Sequence, residues 1–164
     1  VITVCAEIEN QIMDLNQKII MTFDYLFGKG VSSSLPIKEL ELVISRKTGR
    51  LRSIYYKNNL VSTFRTDGSI ALTIFGSNIL MKKKKFKSSC VVIDNNVKEF
   101  IGNGKSVFAK HVKKCGNNIK PGSDAVIIDE EGKIIAVGKS LLSPIMMSKF
   151  KSGVAIKVRE SVNK

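Results

Sequence analysis

Between about Val4 and Phe27 the apolar residues Ile8, Ile12, Leu15, Ile19, Ile20, Phe23 and Phe27 return at steps of three and four. That period buries one stripe of a helix, so the chain is predicted to open with a long amphipathic helix. Gly28 and Gly30 end it, and residues 32–36 form a loop. The period then falls to two over Glu39–Ser45, Leu51–Tyr56, Leu60–Phe64 and Ile70–Ile74, with turns at Thr48-Gly49 and Asn58-Asn59. Four strands joined by such turns make an antiparallel meander, and the helix has an apolar stripe to lay against one face of it. Gly76–Met81 follows as a short helical segment.

The pattern changes after residue 88. Ser89–Ile93 reads as a strand, and Asp94 is placed to cap a helix through Ile101 whose Val97, Phe100 and Ile101 face inward. Gly102–Lys105 turns the chain into an extended segment, Ser106–Val112. Pro121-Gly122 marks another turn, and Asp124–Asp129 pairs with Lys133–Gly138 across Glu130-Glu131-Gly132. Leu141–Phe150 suits a helix and Val154–Val158 a final strand. Short strands with regularly spaced turns predict a small closed or partly closed barrel. The fold class is therefore α+β: a helix-backed antiparallel sheet over residues 1–81, a lysine-rich linker over 82–88, and a barrel with short helices over 89–164.

Charge separates the two halves. Residues 81–164 carry 17 Lys and 1 Arg against 7 acidic residues, net +11, whereas residues 1–80 are net +2. An excess confined to one stretch attracts polyanions, either a nucleic acid or an anionic membrane surface. At 43% hydrophobic and 25% charged residues the chain has the composition of a folded protein. It contains no apolar run long enough to span a bilayer and no secretory leader, which points to the cytoplasm. Cys5, Cys90 and Cys115 form no CxxC pair and are expected to be reduced, partly buried thiols.

Catalytic chemistry finds little to work with. His111 is the only histidine, so a histidine-based metal cluster is excluded, and no metal or cofactor is expected. Asp129, Glu130 and Glu131 precede a glycine and suit a solvent-facing turn, where carboxylates keep ordinary pKa values. Gly102-Asn-Gly-Lys105-Ser106 has some features of a phosphate loop, but it lacks the Walker spacing and lies between a helix and a strand in the wrong order. What survives is a glycine turn whose backbone N–H groups approach an anion beside Lys105 and Ser106. Nearby, Lys110 and His111 adjoin Phe108. Lysines neutralise phosphates and an exposed ring stacks on a base, although alternation leaves open whether Phe108 or Val107 faces the core.

The residues Val97–Val112, Ile119–Asp129, Ile135–Gly138 and Gly153–Arg159 resemble, in order and spacing, a PUA domain, the small RNA-binding pseudobarrel of pseudouridine synthases and archaeosine transglycosylases. In the first half, Phe23–Gly30, Ser45–Arg52 and Leu60–Gly68 are similar to the domain preceding PUA in archaeal tRNA-guanine transglycosylase and its paralogue archaeosine synthase. The resemblance covers the C-terminal tRNA-binding region of those enzymes without their catalytic barrel. It implies a non-catalytic, stand-alone tRNA-binding subunit that grips the acceptor stem and CCA end for a separate catalytic transglycosylase. Carried across, the RNA face consists of Lys98, Asn103, Lys105, Ser106, Phe108, Lys110, His111, Lys151 and Lys157, with Arg50 and Arg52 as possible further contacts. A general structured-RNA or ribosome-associated protein, or a protein-interaction adaptor, are the competing readings.

Overall fold

The computed structural model describes residues 2–163, with side chains from Asp14 onward. The stripe positions Ile8 and Ile12 and the thiol of Cys5 lie outside the described side chains. Helix α1 runs Ile2–Phe27. Ile19, Phe23 and Phe27, spaced by four, are all buried, whereas Ile20, expected in the same stripe, sits one step off that row and is exposed. Gly28 and Gly30 end the helix in the left-handed region, at φ 112° and 90°. The predicted loop is two short 3-10 turns, Val31–Ser34 and Ile37–Glu39.

Strands β1 (Glu41–Ile44), β2 (Leu51–Tyr56), β3 (Asn59–Phe64) and β4 (Ile70–Leu72) then pair antiparallel in chain order. The β2–β3 hairpin turns on Lys57 and Asn58, both at positive φ, as a right-twisted two-residue hairpin requires. The turn therefore falls one residue earlier than predicted. Strand β4 also stops two residues short of Ile74, because the Thr73 hydroxyl accepts the Gly76 N–H and starts helix α2 (Ile74–Leu80).

The second half forms one six-stranded sheet. Its strands are β5 (Cys90–Ile93), β6 (Val107–Phe108), β7 (Val112–Cys115), β8 (Asp124–Ile128), β9 (Ile134–Ser140) and β10 (Val154–Ser161). The spatial order is β6-β10-β9-β8-β5-β7, with β5 and β8 parallel and the other pairs antiparallel. The two end strands are consecutive in the chain, joined by the 3-10 turn Ala109–His111, so the sheet curls into a nearly closed barrel. Helix α3 (Lys98–Gly102) follows the Asp94 cap, and α4 (Pro144–Lys149) follows the Ser143 cap.

Four expectations are corrected here. Phe100 faces solvent at 63% exposure, since a five-residue helix presents only Ile101 to the small barrel interior. The extended segment 106–112 is broken by the 3-10 turn, and the helix expected over 141–150 is confined to 144–149 by Pro144 and its cap. Asp129, expected in solvent, is 1% exposed.

The halves share a core. Strand β8 is buried at every position: Ala125 and Ile127 face the barrel interior, while Val126 and Ile128 pack with Phe23, Ile54 and Leu72 of the first half. Phe86, within the stretch 82–88, is fully buried and stands 5.5 Å from the Phe27 ring, centroid to centroid, whereas Lys82, Lys84, Lys85 and Lys87 remain exposed. A polar clamp lies beside this core. The buried Asp124 accepts the Leu72 N–H at 2.7 Å and the Arg159 guanidinium at 2.7 and 3.0 Å, with Arg65 at 3.5 Å. Removing a buried carboxylate leaves its cationic and N–H partners unsatisfied. We therefore expect Asp124→Ala to cost about 3–5 kcal/mol in urea unfolding. The transition seen by the tyrosines, all in the first half, should also separate from the far-ultraviolet signal of the whole chain.

Candidate nucleic-acid interface

The glycine turn is a helix cap. The Gly104 N–H donates to the Ile101 carbonyl at 2.9 Å and the Lys105 N–H to the Phe100 carbonyl at 3.1 Å, with Gly104 at φ 87°. This is the Schellman arrangement, which needs a left-handed residue at the first position beyond the helix and takes glycine for that reason. The Asn103 N–H is likewise bonded, to the Glu99 carbonyl. The amides expected to approach an anion are spent inside the cap, so the turn offers side chains instead. It projects Lys105 and Asn103 into solvent, Ser106 being half-buried.

From that turn the chain enters β6, an end strand of the sheet. Val107 is fully buried and Phe108 is 46% exposed, which decides the alternation left open by the sequence. Phe108 pairs with Val154 of β10, and the adjacent Ala109 N–H donates to the Gly153 carbonyl, so Phe108 and Lys110 lie beside the loop carrying Lys151. Lys157 lies three residues along β10 from Val154, about 10 Å at the usual strand rise. His111 is half-buried at the entry to β7, its carbonyl accepting the Asp94 N–H. Asn103 accepts from the Asn163 side chain beyond the far end of β10. The structure thus brings Asn103, Lys105, Phe108, Lys110, Lys151 and Lys157 along the β6–β10 edge.

Lys98 stands apart, its ammonium 2.5 Å from the buried Asp129 carboxylate, which also accepts the Glu131 and Lys133 N–H groups. That contact ties α3 to the β8–β9 hairpin. Lys113 pairs with exposed Glu130, whereas Lys105, Lys110, Lys151 and Lys157 make no ion pair among the described residues. Arg50 and Arg52 are exposed on the first domain.

Other residues at this surface were not singled out from the sequence. Leu141, Ile145, Met146 and Phe150 are 43–67% exposed around α4, and only Met147 of that helix is buried. Grouped exposed apolar side chains on a soluble protein mark a contact surface. The available signal was an apolar content too high for the single inward face of a six-residue helix. Burial pushes the Cys90 thiol up to about 12 and the Cys115 thiol up to about 11, which keeps both protonated and unreactive at neutral pH. Among the described residues no cluster of His, Cys, Asp or Glu is placed to hold a metal, and no helix is long and apolar enough to cross a membrane.

The curled six-stranded sheet of the second half, preceded by a helix-backed meander, is a PUA-type barrel. Residues 90–162 match the PUA domain family, and residues 17–87 match the patch-forming domain C2 of tRNA-guanine transglycosylase. In this pair of domains the chain resembles archaeal tRNA-guanine transglycosylases. It is 39% identical over 123 residues to the tRNA-guanine(15) transglycosylase of Picrophilus torridus, covering 75% of this chain and 20% of the relative. With the Methanothermobacter thermautotrophicus enzyme it shares 33% identity over 156 residues, 94% of this chain and 24% of the relative. The chain thus spans about a fifth to a quarter of the length of these curated relatives. A hypothetical protein of Pyrococcus horikoshii has the same fold at TM-score 0.72 and 21% identity, covering 91% of this chain and 90% of that one. A PUA domain protein of Thermoplasma acidophilum matches at TM-score 0.57 and 18% identity, over 76% and 77% of the two chains.

The Lys98–Asp129 pair gives the barrel an acid limit. Burial disfavours ionisation of Asp129, but the Lys98 ammonium and the Lys133 and Glu131 N–H groups outweigh it and hold the carboxyl below its usual range. A depressed folded-state value contributes stability that is fully present above the unfolded value, near pH 4, and is lost as the pH falls through the folded one. Urea unfolding of Asp129→Asn should therefore show a stability deficit at neutral pH that shrinks below about pH 4.

Proposed function

We propose that this protein is a non-catalytic tRNA-binding component of guanine base exchange, holding the acceptor stem and single-stranded CCA end while a separate transglycosylase subunit performs the chemistry. The observation that carries the reading is the β6–β10 edge, where lysines without ion pairs stand beside the exposed Phe108 ring on a PUA barrel. Lys105, Lys110, Lys151 and Lys157 supply positive charge for consecutive phosphates, and Phe108 offers a face on which an unpaired base stacks. His111, half-buried, borders the same end. Lys98 acts at one remove, by fixing the hairpin beneath α3. Phosphate contacts fix register and orientation, while shape, 2′-hydroxyls and the unpaired end supply selectivity. The reading draws further support from the relatives, which are named tRNA-guanine(15) transglycosylases.

Reversing Lys105, Lys110 and Lys157 to Glu should lower tRNA affinity by about two orders of magnitude or more and flatten its salt dependence. Filter binding across a salt series measures both. Trimming the CCA end should weaken wild-type binding several-fold, and unchanged affinity would remove the acceptor-end assignment. Equal affinity for unrelated structured RNAs would favour a general RNA-binding role, and retention of a protein partner by the reversed variant, with no RNA binding by either form, would favour an adaptor.

A further inference from the structure

Strand β1 is an open edge. Among the described residues it pairs with β2 alone, and none of its backbone groups bonds to any other element. The opposite edge of the same sheet is met at Leu72 by the Asp124 and Arg159 side chains, and the end strands of the barrel are joined by the turn at its seam. Soluble proteins commonly blunt an exposed edge with lysine, proline or a bulge. Residues 41–44 contain neither lysine nor proline, and at the one register shift between β1 and β2 the extra residue, Arg52, belongs to β2. The outer strand is left regular.

Its apolar side chains are left uncovered as well. Leu42 packs on the core beneath α1, and Ile44, on the same face by alternation, extends that core to the rim of the sheet, where it is 43% exposed. Val43, on the other face, is equally exposed. Charge flanks this segment with opposite signs: Glu39 and Glu41 lie at its start, Arg46 and Lys47 beyond its end. All four are exposed, and none forms an ion pair among the described residues.

A strand that is acidic at one end and basic at the other is complementary to itself reversed. We propose that β1 is a dimer interface, at which two copies of this chain join their four-stranded sheets edge to edge about a two-fold axis through Val43. That register sets Leu42 against Ile44 of the second copy and Glu39 against its Lys47, with Glu41 diagonal to the same lysine. Lys38 falls opposite a threonine, Thr48. Centring the axis on Leu42 would oppose Lys38 to Arg46, and centring it on Ile44 would oppose Leu42 to Arg46, so charge and hydrophobicity select the same residue. Because the axis consumes β1 of both copies, the assembly closes at two. Four-residue strands bury less than a standard interface, which places the dimer in the weak, concentration-dependent class.

The test is sedimentation velocity of the whole chain, free of RNA, over about 1 to 500 µM, a range suited to weak interfaces. Wild type should pass from monomer to dimer across it. Val43→Lys sets two ammonium groups against each other at the axis and should leave only monomer, with circular dichroism confirming that the variant folds. E39K/E41K and R46E/K47E should each self-associate about tenfold or more weakly than wild type, since every altered contact occurs twice. An equimolar mixture of those two variants should form a heterodimer as readily as wild type forms its homodimer, an outcome that misfolding cannot produce. A wild-type chain that stays monomeric, assembly beyond the dimer, association unaffected by V43K, or a mixture that fails to associate would overturn the proposal. With RNA absent throughout, each of these outcomes leaves the barrel reading untouched.

Discussion

Asp124 accepts the Leu72 N–H through one oxygen and the Arg159 guanidinium through both, while Arg159 donates to the Leu72 carbonyl. Leu72, the last residue of the first sheet, thus finds partners for both its N–H and its carbonyl in side chains of the second half. An open strand edge invites pairing with other chains, and a buried unpaired N–H or carbonyl is costly. Here a fixed ion pair stands in for a fifth strand. Further contacts cross the same junction: the Glu160 carboxylate accepts the Ile74 N–H at the start of α2, and β8 lies with one face in the barrel and the other against the first sheet.

The same arrangement explains how a surplus of positive charge is tolerated. Cations that serve the fold are paired: Lys98 with Asp129, and Arg65 and Arg159 with Asp124. Those pairs use buried carboxylates satisfied by additional N–H groups, the condition under which a buried charge is not a liability. The remaining lysines of the β6–β10 edge face water, where mutual repulsion is screened and costs little until salt is removed. Cations paired with the two buried carboxylates thereby serve the structure, while the lysines of the β6–β10 edge stay at the surface.

Much of this was legible along the chain. The four-residue spacing of Ile19, Phe23 and Phe27 fixes the helix because only one face can be buried, and glycines and asparagines punctuate the hairpins because they accept positive φ. Two of the illegible parts depended on distant partners. Asp129 reads as one of three surface acids, and its burial comes from Lys98, 31 residues away. Nothing along the chain singles out Arg65, and its orientation comes from Asp124, 59 residues on. Phe100 reads as core because its helix carries apolar residues, but five residues are too few to present a stripe. In the candidate site the lysines could be named, whereas the role of Gly104 could not. A glycine after a short helix looks the same whether its neighbours' amides are free for an anion or folded back onto the helix.

The Leu72 edge also bears on how such a chain can be inherited. Family boundaries divide it between residues 87 and 90, as though two modules had been joined. Yet the carboxylate acceptors and the guanidinium donor that satisfy Leu72 and the start of α2 reside at Asp124, Glu160 and Arg159 in the second. A C2 domain exchanged onto another barrel would carry a bare strand edge unless those three side chains were already present at matching positions. The two domains are separable as units of sequence and inseparable as a unit of hydrogen bonding, so the pair, rather than either member, is what recombination must move intact.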